Sequence, residues 1–330
     1  MPPPSVLEFV RSRDAVWNLP PRFVAELARE FPEVRFIAPA DQAEADERLA
    51  EADVVFGWAV TRDNFSAAKR LRWIHLSAAG VGSQLFPALV ESDVVLTNGR
   101  GLHGVAMAEH TLGVLLAFTR KLHLARDAQR ARRWAQRALW SEPPPYGALA
   151  GTTMGLVGFG AVGRAIAERA TALGIDVLAV RRHPDPDPRP AVAQWDPSRM
   201  PDVLARADWL VLAVPLTNET RRLMDADALA QVKSGAILVN LGRGGLVDEA
   251  ALVAALRDGR LAGAALDVFE REPLPEASPL WEMPQVIVTP HVSGFGPRYW
   301  ERSTDQFRRN LRAFLDGAPL ENVVDKRAGY

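Results

Sequence analysis

Cysteine is absent from the 330-residue chain, which removes disulfides, cysteine-ligated zinc, iron–sulfur clusters and thiol nucleophiles. An excess of either charge is absent too: 39 Lys and Arg face 40 Asp and Glu, a formal net charge of -1. There is no global basic field and no Arg/Lys block with interleaved aromatics, so nucleic acid is not an expected partner. The apolar run Thr111–Phe118 is much too short to span a bilayer, so no membrane partner is expected. The opening stretch MPPPSVLEFVRSRD has neither a basic n-region nor a long apolar h-region. The expectation is a cytoplasmic protein with no bound metal. Lysine is scarce and almost every positive charge is Arg, which reads as genomic base composition. What remains is ordinary for a globular chain: 48% hydrophobic and 24% charged residues, at a length that suggests two domains.

The pattern along the chain alternates strand and helix, which implies parallel sheets covered on both faces. In the first third, Val6–Val10, Val34–Ile37, Asp53–Trp58, Trp73–Leu76 and residues 94–101 read as strands or strand ends. Pro21–Phe31, Ala43–Ala50 and Asn64–Arg70 read as helices between them. Val105–Phe118 reads as a long apolar helix, and Leu122–Trp140 as an Arg-rich helical arm, ended by a loop at Pro143–Pro145 and Gly147. A second alternating unit starts at Thr152, with strands at Met154–Val157, Asp176–Val180, Trp209–Val214, Ala236–Val239, Ala264–Val268 and Val286–Thr289. A proline-rich loop, His183–Pro190, interrupts it. The closing helix, Arg298–Leu315, has no sheet of its own in sequence and is expected to return to the first domain.

GLVGFGAVG, residues 155–163, contains Gly158-x-Gly160-x-x-Gly163 between a strand and a helix. That context turns a weak motif into a dinucleotide-binding one. Gly158 permits the tight turn, Gly160 lets the backbone approach a pyrophosphate, and Gly163 lets the helix pack close to the sheet. The amides of Ala161 and Val162 then face an anion at the helix N-terminus. A bare glycine-rich turn without ligand is the competing reading. An NAD site wants Asp or Glu about 20 residues on, at the tip of the next strand. This chain ends that strand with Arg181-Arg182, and arginine forms planar charge-assisted bonds to phosphate. NADP(H) is therefore expected over NAD(H).

Three residues could do chemistry together. Arg243 lies in LVNLGRGGLVDE (238–249), Glu272 in LDVFEREPLP (266–275) and His291 in VTPHVSG (288–294). Each follows a different strand at its carboxyl end, where open α/β sheets bind ligands. Reduction of a ketone by hydride leaves an alkoxide that needs a proton, and histidine is the side chain tuned to deliver one near neutrality. A carboxylate on the far ring nitrogen orients the imidazole. An Arg fork can hold a substrate carboxylate and polarise the carbonyl. The glycines flanking Arg243 are read as thinning the loop to make room for substrate and nicotinamide. Taken singly, a histidine after a strand is more often structural and a glutamate in EREP is usually solvated. Spacing alone leaves Glu270 open as the carboxylate.

With these motifs assembled, the sequence resembles the D-2-hydroxyacid dehydrogenase family, the NAD(P)-dependent, D-isomer-specific enzymes, near their glyoxylate- and hydroxypyruvate-reductase-like branch. The resemblance rests on 151–167, 214–224, 237–256, 266–275 and 289–294, and more loosely on SAAGVGS (77–83) and VVLTNGRG (94–101). It implies two doubly wound parallel-sheet α/β domains. One is a discontinuous flavodoxin-like substrate domain, 1–101 with 291–330; the other is a Rossmann nucleotide-binding domain, 102–290. It implies that Arg243, Glu272 rather than Glu270, and His291 are catalytic. It places substrate contacts at Ala79, Gly80, Val81, Arg243 and His291, and further cofactor contacts at Pro215, Thr220 and Asp267. The implied partners are a small 2-oxo or 2-hydroxy acid and a second copy of the chain, joined through Val105–Phe118 and the arm to Trp140.

Two departures from the family pattern stand out: Gly82 where many members have Asp, and Arg181 where the NAD-selecting acid is usual. The regulatory domain of some phosphoglycerate dehydrogenases is expected to be missing. A nucleotide-sensing corepressor on the same fold is the alternative from another class, and a dehydrogenase of another small anion a third. Trp58, Phe295, Tyr299 and Trp300 are candidates to border the pocket, with core packing as the plain alternative; Trp134 or Trp140 is a candidate to reach it across a dimer.

Overall fold

The computed structural model describes residues 3–12, 14–141, 147–185 and 192–330. The chain divides into two compact units, Met1–Leu102 with Pro297–Tyr330, and His103–Gly296. The divisions fall one and six residues beyond those expected, so His291 lies in the second unit.

The first unit is built on five parallel strands: β1 Ser5–Phe9, β2 Arg35–Ile37, β3 Val54–Gly57, β4 Trp73–Leu76 and β5 Val95–Asn98. Their order is β2-β1-β3-β4-β5, the flavodoxin-like order. β1, β3 and β4 are buried at every position, as parallel strands covered on both faces must be. The closing helix, Tyr299–Leu315, lies in this unit. Its buried residues include Tyr299, Trp300, Ser303, Phe307, Asn310 and Leu311, spaced as one helical face. Phe307 stacks on Phe56 at 4.2 Å and on Trp73 at 5.2 Å. Truncating such a ring to alanine is expected to cost about 3–5 kcal/mol.

The second unit has seven parallel strands: β6 Thr153–Val157, β7 Asp176–Val180, β8 Ala193–Trp195, β9 Trp209–Leu212, β10 Ala236–Asn240, β11 Leu261–Leu266 and β12 Val286–Val288. Their order, β12-β11-β10-β9-β6-β7-β8, reverses between β9 and β6, as in a dinucleotide-binding Rossmann sheet. The helix Gly104–Thr119 packs on Ala161–Ala172. Small residues set that contact: a Cβ on Gly104 would sit 3.2 Å from the Ala161 carbonyl oxygen. No helix among the described residues is long and apolar enough to cross a membrane.

Several local expectations are corrected. The arm read as one helix is two, Leu122–Arg130 and Gln136–Ser141, with Arg132 in the left-handed region at φ 54° between them. Asn64–Arg70 shrinks to one tight turn at Phe65–Ala67. β8 was not expected; it follows the proline-rich stretch and is only three residues long. Pro143–Pro145 and residues 186–190 of the proline-rich loop lie outside the described residues. Tyr299 and Trp300 are core residues: the Tyr299 hydroxyl donates to the Ser77 carbonyl at 2.7 Å, and the Trp300 indole to the Val16 carbonyl at 3.1 Å.

Candidate active site

The glycine motif sits in the loop between β6 and the helix Ala161–Ala172, on the strand where the sheet order reverses. Its glycines do different jobs. Gly158 has φ 104°, and a Cβ there would lie 2.5 Å from the Ala213 carbonyl oxygen. A Cβ on Gly163 would lie 2.1 Å from the Gly158 carbonyl oxygen, so helix and turn touch there. A Cβ on Gly160 meets no atom of the described residues within 4 Å. Two glycines are thus demanded by the protein itself, while the third faces open space at the helix N-terminus. The first-turn amides of Ala161 and Val162 have no intrahelical acceptor, as at any helix start. This cradle fits a dinucleotide pyrophosphate.

At the tip of β7 the two arginines meet carboxylates. Arg182 pairs with Glu219, and Arg181 Nη1 lies 3.7 Å from Asp185 Oδ2. Asp185 also receives Arg164 Nη2 at 2.5 Å, from the first turn of the helix that follows the glycine loop. Pro215 and Thr220 belong to the loop after β9. The Thr220 hydroxyl donates to the Pro215 carbonyl at 2.7 Å and accepts from the Thr217 amide at 2.8 Å, so it closes that loop on itself.

The three candidate residues, Arg243, Glu272 and His291, follow β10, β11 and β12, which are adjacent in the sheet. Glu272 and His291 are brought together: Nδ1 of His291 lies 2.7 Å from Oε2 of Glu272. The other carboxylate oxygen, Oε1, accepts from the Phe269 amide at 3.0 Å, which leaves Oε2 aimed at the ring. Glu270 instead offers its amide to Glu249. The histidine keeps half of its side-chain surface open, so the ring can reach a ligand.

Asp267 holds the histidine's loop. It is 1% exposed, and its carboxylate accepts from the Thr289 hydroxyl at 2.6 Å and from the amides of Val292 and Ser293, each at 3.0 Å. The His291 amide donates to the Asp267 carbonyl at 2.9 Å, and the backbone at His291 has φ 54°. A non-glycine residue in that region is held there by its surroundings, as functional residues often are. His103 adds a further tie, with Nδ1 2.8 Å from the Gly294 carbonyl oxygen.

Arg243 is exposed at the end of β10, its guanidinium donating to the Gly242 carbonyl at 2.7 Å. Asn240 braces the turn through its side chain, donating to the Arg243 carbonyl at 3.0 Å and accepting from the Gly242 amide at 3.1 Å. The neighbouring glycines are explained by protein packing, which corrects the reading that they clear space for ligands. A Cβ on Gly244 would lie 1.8 Å from the Phe269 carbonyl carbon, and one on Gly242 would lie 2.6 Å from Leu246 and 2.8 Å from the Val214 carbonyl oxygen. Gly244 therefore lets the arginine's loop lie directly against the backbone that leads to Glu272. In the first unit, Asn98 donates to the Ala79 carbonyl at 2.6 Å, Val81 is buried in the core, and Gly80 between them is exposed.

Residues 112–293 match the model of the D-isomer specific 2-hydroxyacid dehydrogenase NAD-binding domain. A D-3-phosphoglycerate dehydrogenase of Mycobacterium bovis is 33% identical over 315 residues, covering 94% of this chain and 58% of that protein. The chain thus spans little more than half the length of that relative. A D-isomer specific 2-hydroxyacid dehydrogenase family protein from Aeromonas salmonicida has a solved structure that superposes with a TM-score of 0.83 at 34% identity, covering 98% of this chain and 99% of the other. An NADPH-dependent glyoxylate/hydroxypyruvate reductase from Sinorhizobium meliloti, solved with NADP and sulfate, superposes with a TM-score of 0.82 at 30% identity, covering 99% and 100%. Fold, glycine cradle and matched residues agree: the chain belongs to the D-isomer specific 2-hydroxyacid dehydrogenase family.

Proposed function

We propose that the chain reduces a 2-oxo acid to the D-2-hydroxy acid with NADPH, and catalyses the reverse oxidation. The observation that carries the reading is the Glu272–His291 pair at 2.7 Å, on a loop fastened by Asp267 and half open to solvent. The nicotinamide supplies or accepts the hydride. Glu272 accepts a hydrogen bond from Nδ1–H of His291, so the imidazolium keeps that proton and gives the one on Nε2 to the substrate oxygen, taking it back in the reverse direction. Arg243 offers a planar fork to the substrate carboxylate and carbonyl. Further carboxylate recognition is assigned to the backbone amides of Ala79, Gly80 and Val81.

On the cofactor side, the cradle of Gly158, Gly160 and Gly163 with the amides of Ala161 and Val162 takes the pyrophosphate. Pro215, Thr220 and Asp267 are assigned to the remainder of the dinucleotide. Arg181 and Arg182 are assigned to the 2′-phosphate, supported by the Sinorhizobium reductase with its bound NADP. Glyoxylate and hydroxypyruvate are the first substrates to test. The chain is proposed to act as a homodimer, a reading supported by the exposed apolar residues Val105, Leu116, Leu122, Trp134 and Trp140 along the helix Gly104–Thr119 and the arm after it. The test is NADPH oxidation with glyoxylate, hydroxypyruvate and phenylpyruvate, followed by chiral analysis of the products of the latter two. D-configured product is expected; no oxidation with any of the three, or an L-configured product, would refute the proposal.

A further inference from the structure

Three arginines and two carboxylates gather where β7 meets the glycine-loop helix. Asp185 joins two of the arginines: its Oδ2 receives Arg164 at 2.5 Å and faces Arg181 Nη1 at 3.7 Å. The Arg181 Nη1 atom is buried and makes no hydrogen bond among the described residues, so one strong donor is held beside a carboxylate without being satisfied by it. Arg164 is fixed from its other side, over the Phe159 ring at 4.8 Å. Asp185 is also tethered by its backbone, its amide donating to Gln194 Oε1 at 2.9 Å on the edge strand β8. The carboxylate therefore stands between two guanidiniums in the way an oxyanion ligand would. The second carboxylate, Glu219, pairs with Arg182 but is largely exposed, where ion pairs contribute little.

We propose that Asp185 is a built-in competitor for the 2′-phosphate of NADPH, and that Arg164 is a third ligand of that phosphate. The proposal rests on the assignment of Arg181 and Arg182 to the 2′-phosphate. In the free chain the aspartate occupies Arg164 and Arg181; a phosphate must displace it and then bear its repulsion. Two like charges a few ångströms apart in water, one of them a dianion, weaken binding by about tenfold. Asp185 thus narrows the margin between NADPH and NADH that the arginines alone would set. A ligand without the 2′-phosphate leaves the Asp185–Arg164 pair intact.

The test is calorimetric titration with adenosine 2′,5′-bisphosphate and with 5′-AMP, which carry the recognition chemistry and no hydride. Asp185→Asn is expected to bind the bisphosphate about tenfold more tightly than the parent chain and 5′-AMP within twofold of it. Asp185→Ser should do the same if the carboxylate, not the shape, is responsible. Adding Arg164→Gln to Asp185→Asn should remove most of the gain. Unchanged bisphosphate affinity in both Asp185 variants, or equal tightening of both ligands, overturns the proposal. If Arg181→Ala/Arg182→Ala leaves the preference for bisphosphate over 5′-AMP unaltered, the 2′-phosphate assignment itself fails and takes the proposal with it. If that double variant loses the preference while the Asp185 variants change nothing, only the role of Asp185 fails.

Discussion

Gly244→Ala isolates the contact that holds the arginine's loop against the glutamate's. The added Cβ would lie 1.8 Å from the Phe269 carbonyl carbon, 1.9 Å from its oxygen and 2.4 Å from the Glu270 nitrogen, all backbone atoms. Real Cβ contacts essentially never fall under 3.0 Å, so the two segments must part by about 1.2 Å (3.0 less 1.8). Overpacking of this kind costs about 1–3 kcal/mol, while domains are typically stable by about 5–15 kcal/mol, so the variant should fold. Function is more sensitive, because Arg243 and Glu272 lie on opposite sides of the contact. A displacement of about 1 Å in a catalytic constellation can cost about 100-fold in rate. Gly147→Ala is the control, since a Cβ there meets nothing within 4 Å among the described residues. The assay is steady-state NADPH oxidation with glyoxylate, alongside a thermal melt of each variant. The expected result is a kcat about 100-fold lower for Gly244→Ala at a melting temperature only a few degrees down, with Gly147→Ala like the parent. Parental kcat in Gly244→Ala would mean that the two loops do not need to touch.

Other consequences can be checked separately. Gly160→Ala should melt like the parent, since its Cβ meets no atom of the described residues within 4 Å, yet bind NADPH at least about tenfold more weakly in a titration; unchanged affinity would mean the space is not the cofactor's. His75 is fully buried against Phe56, Trp73 and Phe307, and burial lowers its pKa to about 3 from 6.5. The unfolded chain therefore binds the extra proton between those values, and the stability due to His75 falls as pH drops through 6.5 toward 3. The loss is about 2 kcal/mol by pH 5, measurable by urea unfolding; His75→Leu should flatten that part of the pH profile, and an unaltered profile would contradict it. Glu272→Gln keeps the size of the side chain but removes the charge facing His291 Nδ1, so kcat/KM should fall about 10- to 100-fold with NADPH affinity unchanged.

The parts of the site legible in the sequence were those fixed by local backbone demands. Gly158 and Gly163 announced a turn because only glycine tolerates those contacts, and the alternation of apolar runs announced two parallel sheets. The Glu272–His291 pairing was legible only as chemistry plus resemblance, since nothing local aligns residues 19 apart. What escaped detection depends on distant partners. Asp185 and Glu219 were invisible as counter-ions of Arg164, Arg181 and Arg182, because the pairing requires the loops to be folded. Asp267 was assigned to the cofactor, and its carboxylate also holds the loop of His291 through three hydrogen bonds. The glycines beside Arg243 were misread because close approach to backbone and open space for a ligand call for the same residue. The break in the arm at Arg132 carries no glycine or proline to mark it, and β8 is too short to show a period.

On the proposed assignment, His291, backed by Glu272, moves the proton while Arg243 holds the substrate. The most direct measurement is single-turnover NADPH oxidation by His291→Ala and Arg243→Ala with saturating glyoxylate, with NADPH dissociation constants measured on the same preparations. Rates at least about 100-fold below the parent are expected in both variants, with NADPH affinity essentially preserved. A parental single-turnover rate in either variant would contradict that assignment.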